Sequence, residues 1–61
     1  MIIYREFENN IKTLNFKDFI NYIKKDWILI MGCNQYYDMC NLFNKTYPNY
    51  TLENIIKEVI L

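Results

Sequence analysis

The chain contains few of the side chains that carry out catalysis in proteins. It has no histidine, whose charge changes near neutral pH, and no serine to act as a nucleophile. A glycine-rich phosphate loop is excluded because the sequence has a single glycine. The carboxylates of Asp18, Asp26, Asp38, Glu53 and Glu58 are scattered along the chain. We therefore predict a protein that is not an enzyme and that uses no cofactor.

Cys33 and Cys40 are the two side chains with metal or redox chemistry. A structural zinc site needs four Cys or His ligands, usually in close pairs, and the chain offers only these two thiols, seven positions apart. On one continuous helix this spacing would be ~10 Å of rise, which is beyond the reach of a disulfide. We expect no metal site and reduced thiols, with Cys40 buried and Cys33 incidental near a turn.

A group of lysines is the feature suited to nucleic-acid binding. Lys17, Lys24 and Lys25 lie on the outward face of the second predicted helix, where they could contact phosphates. The seven basic residues are balanced by seven acidic ones, so the net charge is zero and gives no general attraction for nucleic acid. An ordinary solvated face is therefore the preferred interpretation, and a nucleic-acid-binding regulator is the alternative.

Several large side chains fall outside the predicted core and suggest a protein-binding surface. Tyr22, Ile28 and Leu29 lie on the second predicted helix with Lys25 beside them, and Tyr37 lies on the third. Tyrosines and exposed aliphatic residues next to lysine are typical of interfaces. We predict that these five residues bind another protein. Two other interpretations are that they cover a second face of the core, or that two copies of the chain pair through Tyr22, Ile28 and Leu29.

Length and composition indicate one small folded domain. The 61 residues allow a single domain with a small core, and an apolar content of 52% is too high for a disordered chain. The longest apolar run, residues 27–31, is far shorter than the ~20 residues of a membrane span or the ~7–15 of a signal-peptide core. We expect a single domain over residues 1–61 in the cytoplasm of a bacterial host cell, without a membrane partner.

The amino-acid usage indicates the origin of the chain. Isoleucine, asparagine, lysine, tyrosine and phenylalanine dominate, and their codons are rich in A and T. A short reading frame from an AT-rich genome, without catalytic groups, suits an accessory protein of a phage or mobile element. Such proteins often inhibit or modulate a host protein complex, and anti-CRISPR inhibitors are one example.

Three candidate caps divide the chain into helices. Asn15 can cap a second helix that Gly32 ends, and Asn34 can cap a third helix that closes before Pro48. Thr51 can cap the last helix. The segment before Asn15 also has helical spacing, although its first residues have β-type side chains.

The apolar positions of each segment are spaced by three and four residues, which predicts four core-facing stripes. These stripes are Ile3, Phe7, Ile11 and Leu14; Phe16, Ile20, Ile23, Trp27 and Ile30, with Phe19 and Met31 adjoining; Tyr36, Met39, Cys40, Phe43 and Tyr47; and Leu52, Ile55, Ile56 and Val59. The predicted fold class is all-α, a small compact bundle of three to four short helices. The alternative is α+β, with a short N-terminal strand over residues 2–7 pairing with residues 27–31.

Overall fold

Four helices make up most of the chain. The computed structural model describes the backbone of residues 2–60 and the side chains of residues 2–59. The helices are α1 (Ile2–Thr13), α2 (Phe16–Met31), α3 (Tyr36–Thr46) and α4 (Leu52–Ile60). Residues 2–60 contain no strand. The prediction of a small all-α bundle is confirmed, and the strand alternative is wrong because residues 2–7 lie in α1 and residues 27–31 in α2.

The helices pack as a ring around one core. Helix α1 packs against α2 and α3, and α4 packs against the same two helices. Around the ring, the helices therefore lie in the order α1, α2, α4, α3. The buried apolar side chains that fill the space between them are Phe7, Ile11, Phe19, Ile23, Ile30, Cys33, Met39, Cys40, Phe43, Leu52, Ile55 and Ile56.

Three fully buried phenylalanines join three of the helices. Phe19 of α2 meets Phe7 of α1 edge-on, with ring centroids 5.2 Å apart, and stacks on Phe43 of α3 at 6.0 Å. All three side chains have no exposed surface. Buried aromatic rings carry a large share of the hydrophobic free energy of a small core. Phe19 is therefore the central side chain of the bundle.

Two of the predicted helix caps are confirmed. The Asn15 side chain accepts a hydrogen bond from the Asp18 amide at 2.8 Å, which satisfies one free N–H at the start of α2. At the start of α4, the Thr51 hydroxyl accepts from the amide of residue 54 at 3.3 Å. Asn44 of α3 adds a second cap, because its side-chain oxygen accepts from the Leu52 amide at 3.1 Å. This last bond ties α3 directly to the first turn of α4.

The turn between α2 and α3 differs from the prediction. Asn34 does not cap α3, since the chain first closes a turn in which the Tyr36 amide bonds to the Cys33 carbonyl at 3.1 Å, so the helix begins only at Tyr36. The Cys33 sulfur accepts from the Gln35 amide at 3.4 Å and is only 9% exposed. Cys33 is thus a core residue, and the expectation of an incidental thiol is wrong. Burial of Cys40 is confirmed.

Gly32 ends α2, as predicted, but without a left-handed backbone. Its φ of −82° lies in the ordinary helical region. The local constraint is space, because a Cβ at this position would lie 3.2 Å from the Ile28 carbonyl oxygen. Because Gly32 has no side chain, the backbone at the end of α2 is exposed.

Candidate functional site

Helix α2 changes character at Asp26. The dihedral angles of Asp26, φ −114° and ψ 19°, fall outside the helical region and mark a kink. Before the kink, Phe19 and Ile23 are fully buried. After it, Ile30 is the fully buried side chain among residues 27–31. Two side chains are therefore fully buried in the part of α2 before the kink, and one is fully buried after it.

Three large apolar side chains after the kink are exposed. The exposed fractions are 66% for Ile28, 55% for Leu29 and 47% for Met31. Met31 lies one turn after Ile28, and Leu29 lies on the other flank of Ile28, so the three residues cover the outer side of the C-terminal end of α2. We refer to these three residues as the α2 patch. Contiguous exposed apolar surface on a small protein is typical of an interaction site.

The orientation of these residues explains why they are exposed. Ile30 is fully buried and Cys33 is only 9% exposed, so the core continues beneath the last turn of α2. With ~3.6 residues per turn, Ile28 lies on the side of the helix opposite Ile30, and Leu29 lies about a quarter turn away from Ile30. The α2 patch is therefore the outer side of a helix end whose inner side is packed.

Tyr22 was predicted to lie on the outward protein-binding face, and this placement is wrong. Its ring is half-buried against the core, with centroids 5.7 Å from Phe19 and 6.5 Å from Phe7. The reason is that α1 reaches far enough along α2 to cover this turn. Tyr22 thus covers a second side of the core, which was the competing interpretation.

The Tyr22 hydroxyl is the buried polar atom nearest to the kink in the sequence. It has no hydrogen-bond partner of acceptable geometry among the described residues. Burial, together with the carboxylates of Glu6 and Asp26, raises the pKa of Tyr22 to about 12, while the nearby Asn10 side chain acts in the opposite direction. The phenol therefore stays neutral through the physiological pH range.

Two other expectations for α2 are wrong. Trp27 was placed on the core stripe, but it is only partly buried and does not belong to the core cluster. Met31 was expected to adjoin that stripe, but about half of its surface is exposed. The sequence contained a signal for this result, because a helix of a small bundle buries three to four of every seven residues. Five consecutive apolar residues must therefore place some side chains in solvent.

The remaining predicted binding residues, Lys25, Ile28, Leu29 and Tyr37, are all exposed. Lys25 lies one turn before Ile28 and Leu29 in α2. Tyr37 is 81% exposed in the first turn of α3, where its ring contact is with Tyr36 at 6.1 Å. The structure therefore places Lys25 in the turn before the α2 patch and Tyr37 on the helix that follows it.

The lysines that the alternative interpretation assigns to nucleic-acid binding are also exposed. Lys17, Lys24 and Lys25 are exposed on α2. Lys17 and Lys24 are seven positions apart and lie on one side of the helix. Asp18 is exposed next to Lys17, so an acidic side chain interrupts the basic surface.

The described residues offer little for covalent or metal chemistry. They contain no group of three His, Cys, Asp or Glu side chains able to hold a metal ion. Burial raises the pKa of the Cys40 thiol, which keeps it protonated, and the Tyr36 hydroxyl beside it only partly offsets this effect. None of the helices in residues 2–60 has both the length and the apolar character to cross a membrane.

An open groove lies between the loop after α3 and the face of α4. Its volume is about 230 Å³. Pro48, Tyr50 and Ile55 provide apolar walls, and Asn54 and Glu58 provide polar ones. The hydroxyl of Thr51 also lines the groove, where it accepts the hydrogen bond that caps α4.

Comparison of the chain with protein-family models, characterised proteins and solved structures gives no match. Its function therefore has to be inferred from the geometry of the α2 patch.

Proposed function

We propose that this chain is a small, non-catalytic protein-binding protein whose interface is the α2 patch together with Lys25. Its role would be to inhibit or modulate a host protein complex, as an accessory protein of a phage or mobile element does. The observation that carries the proposal is the exposure of Ile28, Leu29 and Met31 on one end of α2. Catalysis is not needed to explain any of these residues.

The composition of this surface favours a protein as the ligand. Taking ~150–200 Å² for each large side chain, the α2 patch exposes on the order of 300 Å² of mainly apolar surface. Burying one such side chain contributes about 1.5–3 kcal/mol, so three of them can anchor a protein interface. Lys25 at the edge supplies an aliphatic stem for packing and a charged end that remains in water.

The direct experiment is site-specific photo-crosslinking in a bacterial host lysate. A photoreactive residue is placed at Leu29 or, as the control, at Thr13, which is exposed at the other end of the bundle, where α1 ends. We expect one protein to crosslink at position 29 and not at position 13. An Ile28→Lys substitution should abolish its capture, whereas Thr13→Lys should not. Equal capture by both variants would show that the α2 patch is not the interface.

Nucleic-acid binding is the second candidate because Lys17, Lys24 and Lys25 are all exposed on α2. It predicts retention of DNA or RNA in a mobility-shift assay at low salt, with a steep loss of affinity as salt increases. Substitution of the three lysines by glutamine should remove the retention. No retention by the wild type would eliminate this candidate and leave protein binding unaffected.

A further inference from the structure

We infer that, before a partner protein binds, the α2 patch pairs weakly and reversibly with a second copy of the chain. The two α2 helices would run antiparallel about a two-fold axis between Ile28 and Leu29. This inference rests on the proposed function only in that both use the α2 patch as an interface. It adds that a second copy of the chain occupies the patch in the isolated protein, and that this dimer must dissociate before a partner binds.

The exposed area sets the strength of this contact. Ile28, Leu29 and Met31 are each about half exposed or more, and Trp27 and the lysine stems beside them add surface. Two copies would bury on the order of 600 Å², twice the area of one patch, whereas stable interfaces bury ~1,200–2,000 Å² and weak, transient ones bury less. The pairing is therefore a weak and reversible dimer, with a Kd on the order of 0.01–1 mM.

The charges around the patch select the antiparallel arrangement. Lys24 and Lys25 are exposed one turn before the patch. In a parallel pair, the lysines of one copy would lie against those of the other, and four positive charges would repel one another. In the antiparallel pair, Ile28 lies level with Leu29 of the other copy, and Lys25 lies level with Gly32. The lysine pairs are then at opposite ends of the contact.

The C-terminal end of α2 is electrostatically negative, opposite in sign to Lys24 and Lys25. A helix C-terminus carries partial negative charge on its free carbonyl groups, and α2 has no basic residue in its last turn. Gly32, exposed and without a side chain, leaves room for the Lys25 stem of the other copy. Each copy would thus supply the positive charge that the other copy's helix end lacks.

The consequence is competition between the two occupants of the patch. A partner protein binds only the uncovered chain, so its apparent affinity falls as the concentration of the chain increases. An accessory protein that is made at low concentration would be mainly uncovered. One that accumulates would be partly stored as the dimer.

Sedimentation equilibrium over a hundredfold concentration range tests the dimer. The average mass of the wild type should increase from 7.6 kDa toward twice that value. An Ile28→Lys variant should stay at 7.6 kDa throughout, and Thr13→Lys should follow the wild type because Thr13 is exposed at the other end of the bundle. A constant mass for the wild type, or dimerisation by Ile28→Lys equal to that of the wild type, would overturn the inference.

Charge reversal tests the arrangement. Lys25→Glu places a negative charge at the negative end of the other copy's helix, so the antiparallel dimer should weaken about tenfold in Kd. A variant that dimerises as well as the wild type, or better, would overturn the antiparallel arrangement. The outcomes also separate the two proposals. A monomeric wild type that still crosslinks a partner at position 29 overturns the dimer alone, and a dimer that captures no partner overturns the proposed function alone.

Discussion

The two halves of α2, residues 16–25 and 27–31, place their apolar residues in different surroundings. Five of the ten residues 16–25 are apolar, and Phe19 and Ile23 are fully buried. Phe16 contacts the rings of Tyr47 and Tyr50, each with a centroid distance of 5.0 Å. All five residues 27–31 are apolar and occupy every side of the helix, so two neighbouring isoleucine and leucine side chains are more than half exposed while Ile30 is fully buried. Apolar residues within one helix can therefore stabilise the fold or form a binding surface, and the side of the helix that each residue occupies decides which.

The largest test of this difference is Phe19→Ala. Phe19 contacts the phenylalanines of α1 and α3 and has no exposed surface, so its truncation leaves a cavity at the centre of the core. We expect a loss of about 3–5 kcal/mol in the free energy of unfolding, a large part of the stability of a domain of this size. Urea denaturation followed by circular dichroism measures it. A loss no greater than that of Leu29→Ala would contradict the difference between the two halves.

The buried half of α2 was predictable because the responsible signals are local. The Asn15 side chain and the spacing of Phe16, Ile20 and Ile23, with Phe19 adjoining, predict where the helix starts and which face it buries. The stripes of α1 and α3 are likewise buried or packed against the core. In α4 the same holds for Leu52, Ile55 and Ile56 but not for Val59, which is only partly buried and outside the core cluster.

The exposed half could be predicted in part. The spacing places Ile28 and Leu29 outside the core stripe, and both are exposed. The same spacing predicts Trp27 and Met31 on or beside the stripe and Tyr22 on the surface, and these three placements are wrong. A periodic pattern assumes an uninterrupted helix, whereas Asp26 interrupts α2 and the ring of Tyr22 packs against α1. These errors depend on tertiary packing.

Removal of the α2 cap should have an intermediate effect. Asn15→Ala deletes the side-chain oxygen that accepts from the Asp18 amide, leaving that N–H without its partner. We expect a loss of about 0.5–2 kcal/mol in the free energy of unfolding. Asn21→Ala, an exposed position within the same helix, is the matched control, and alanine there should be neutral or slightly stabilising. Equal effects of the two substitutions in urea denaturation would mean that the cap does not stabilise α2.

A smaller effect is expected from Tyr22→Phe. Because the Tyr22 hydroxyl is buried without a partner, its removal should change stability by less than about 1 kcal/mol near neutral pH. The effect should appear at alkaline pH. The pKa of Tyr22 is raised from 10.0 to about 12 in the folded state, so between these values the unfolded chain loses its proton first and the wild type loses stability as pH increases.

The phenylalanine variant lacks this ionisation and should lose less stability above pH 10. Tyr36, whose pKa burial also raises, still contributes to the alkaline loss in both proteins. Thermal melting temperatures measured from neutral to alkaline pH would show the two curves separating above pH 10. Tyr37→Phe, at an 81% exposed ring, should follow the wild type. A Tyr22→Phe curve parallel to the wild type would contradict the buried position of this hydroxyl.

The smallest expected change in stability comes from Leu29→Gln, and it separates folding from binding most directly. Leu29 is 55% exposed and glutamine forms helices about as well as leucine, so the monomer should change by less than about 0.5 kcal/mol. At high protein concentration the wild type should gain thermal stability from self-association, while the variant should not, because only the folded dimer is favoured by mass action. Thermal melts at the two ends of a hundredfold concentration range measure both effects. If the variant is destabilised equally at every concentration, Leu29 contributes to the fold, and the distinction between the two halves of α2 is wrong.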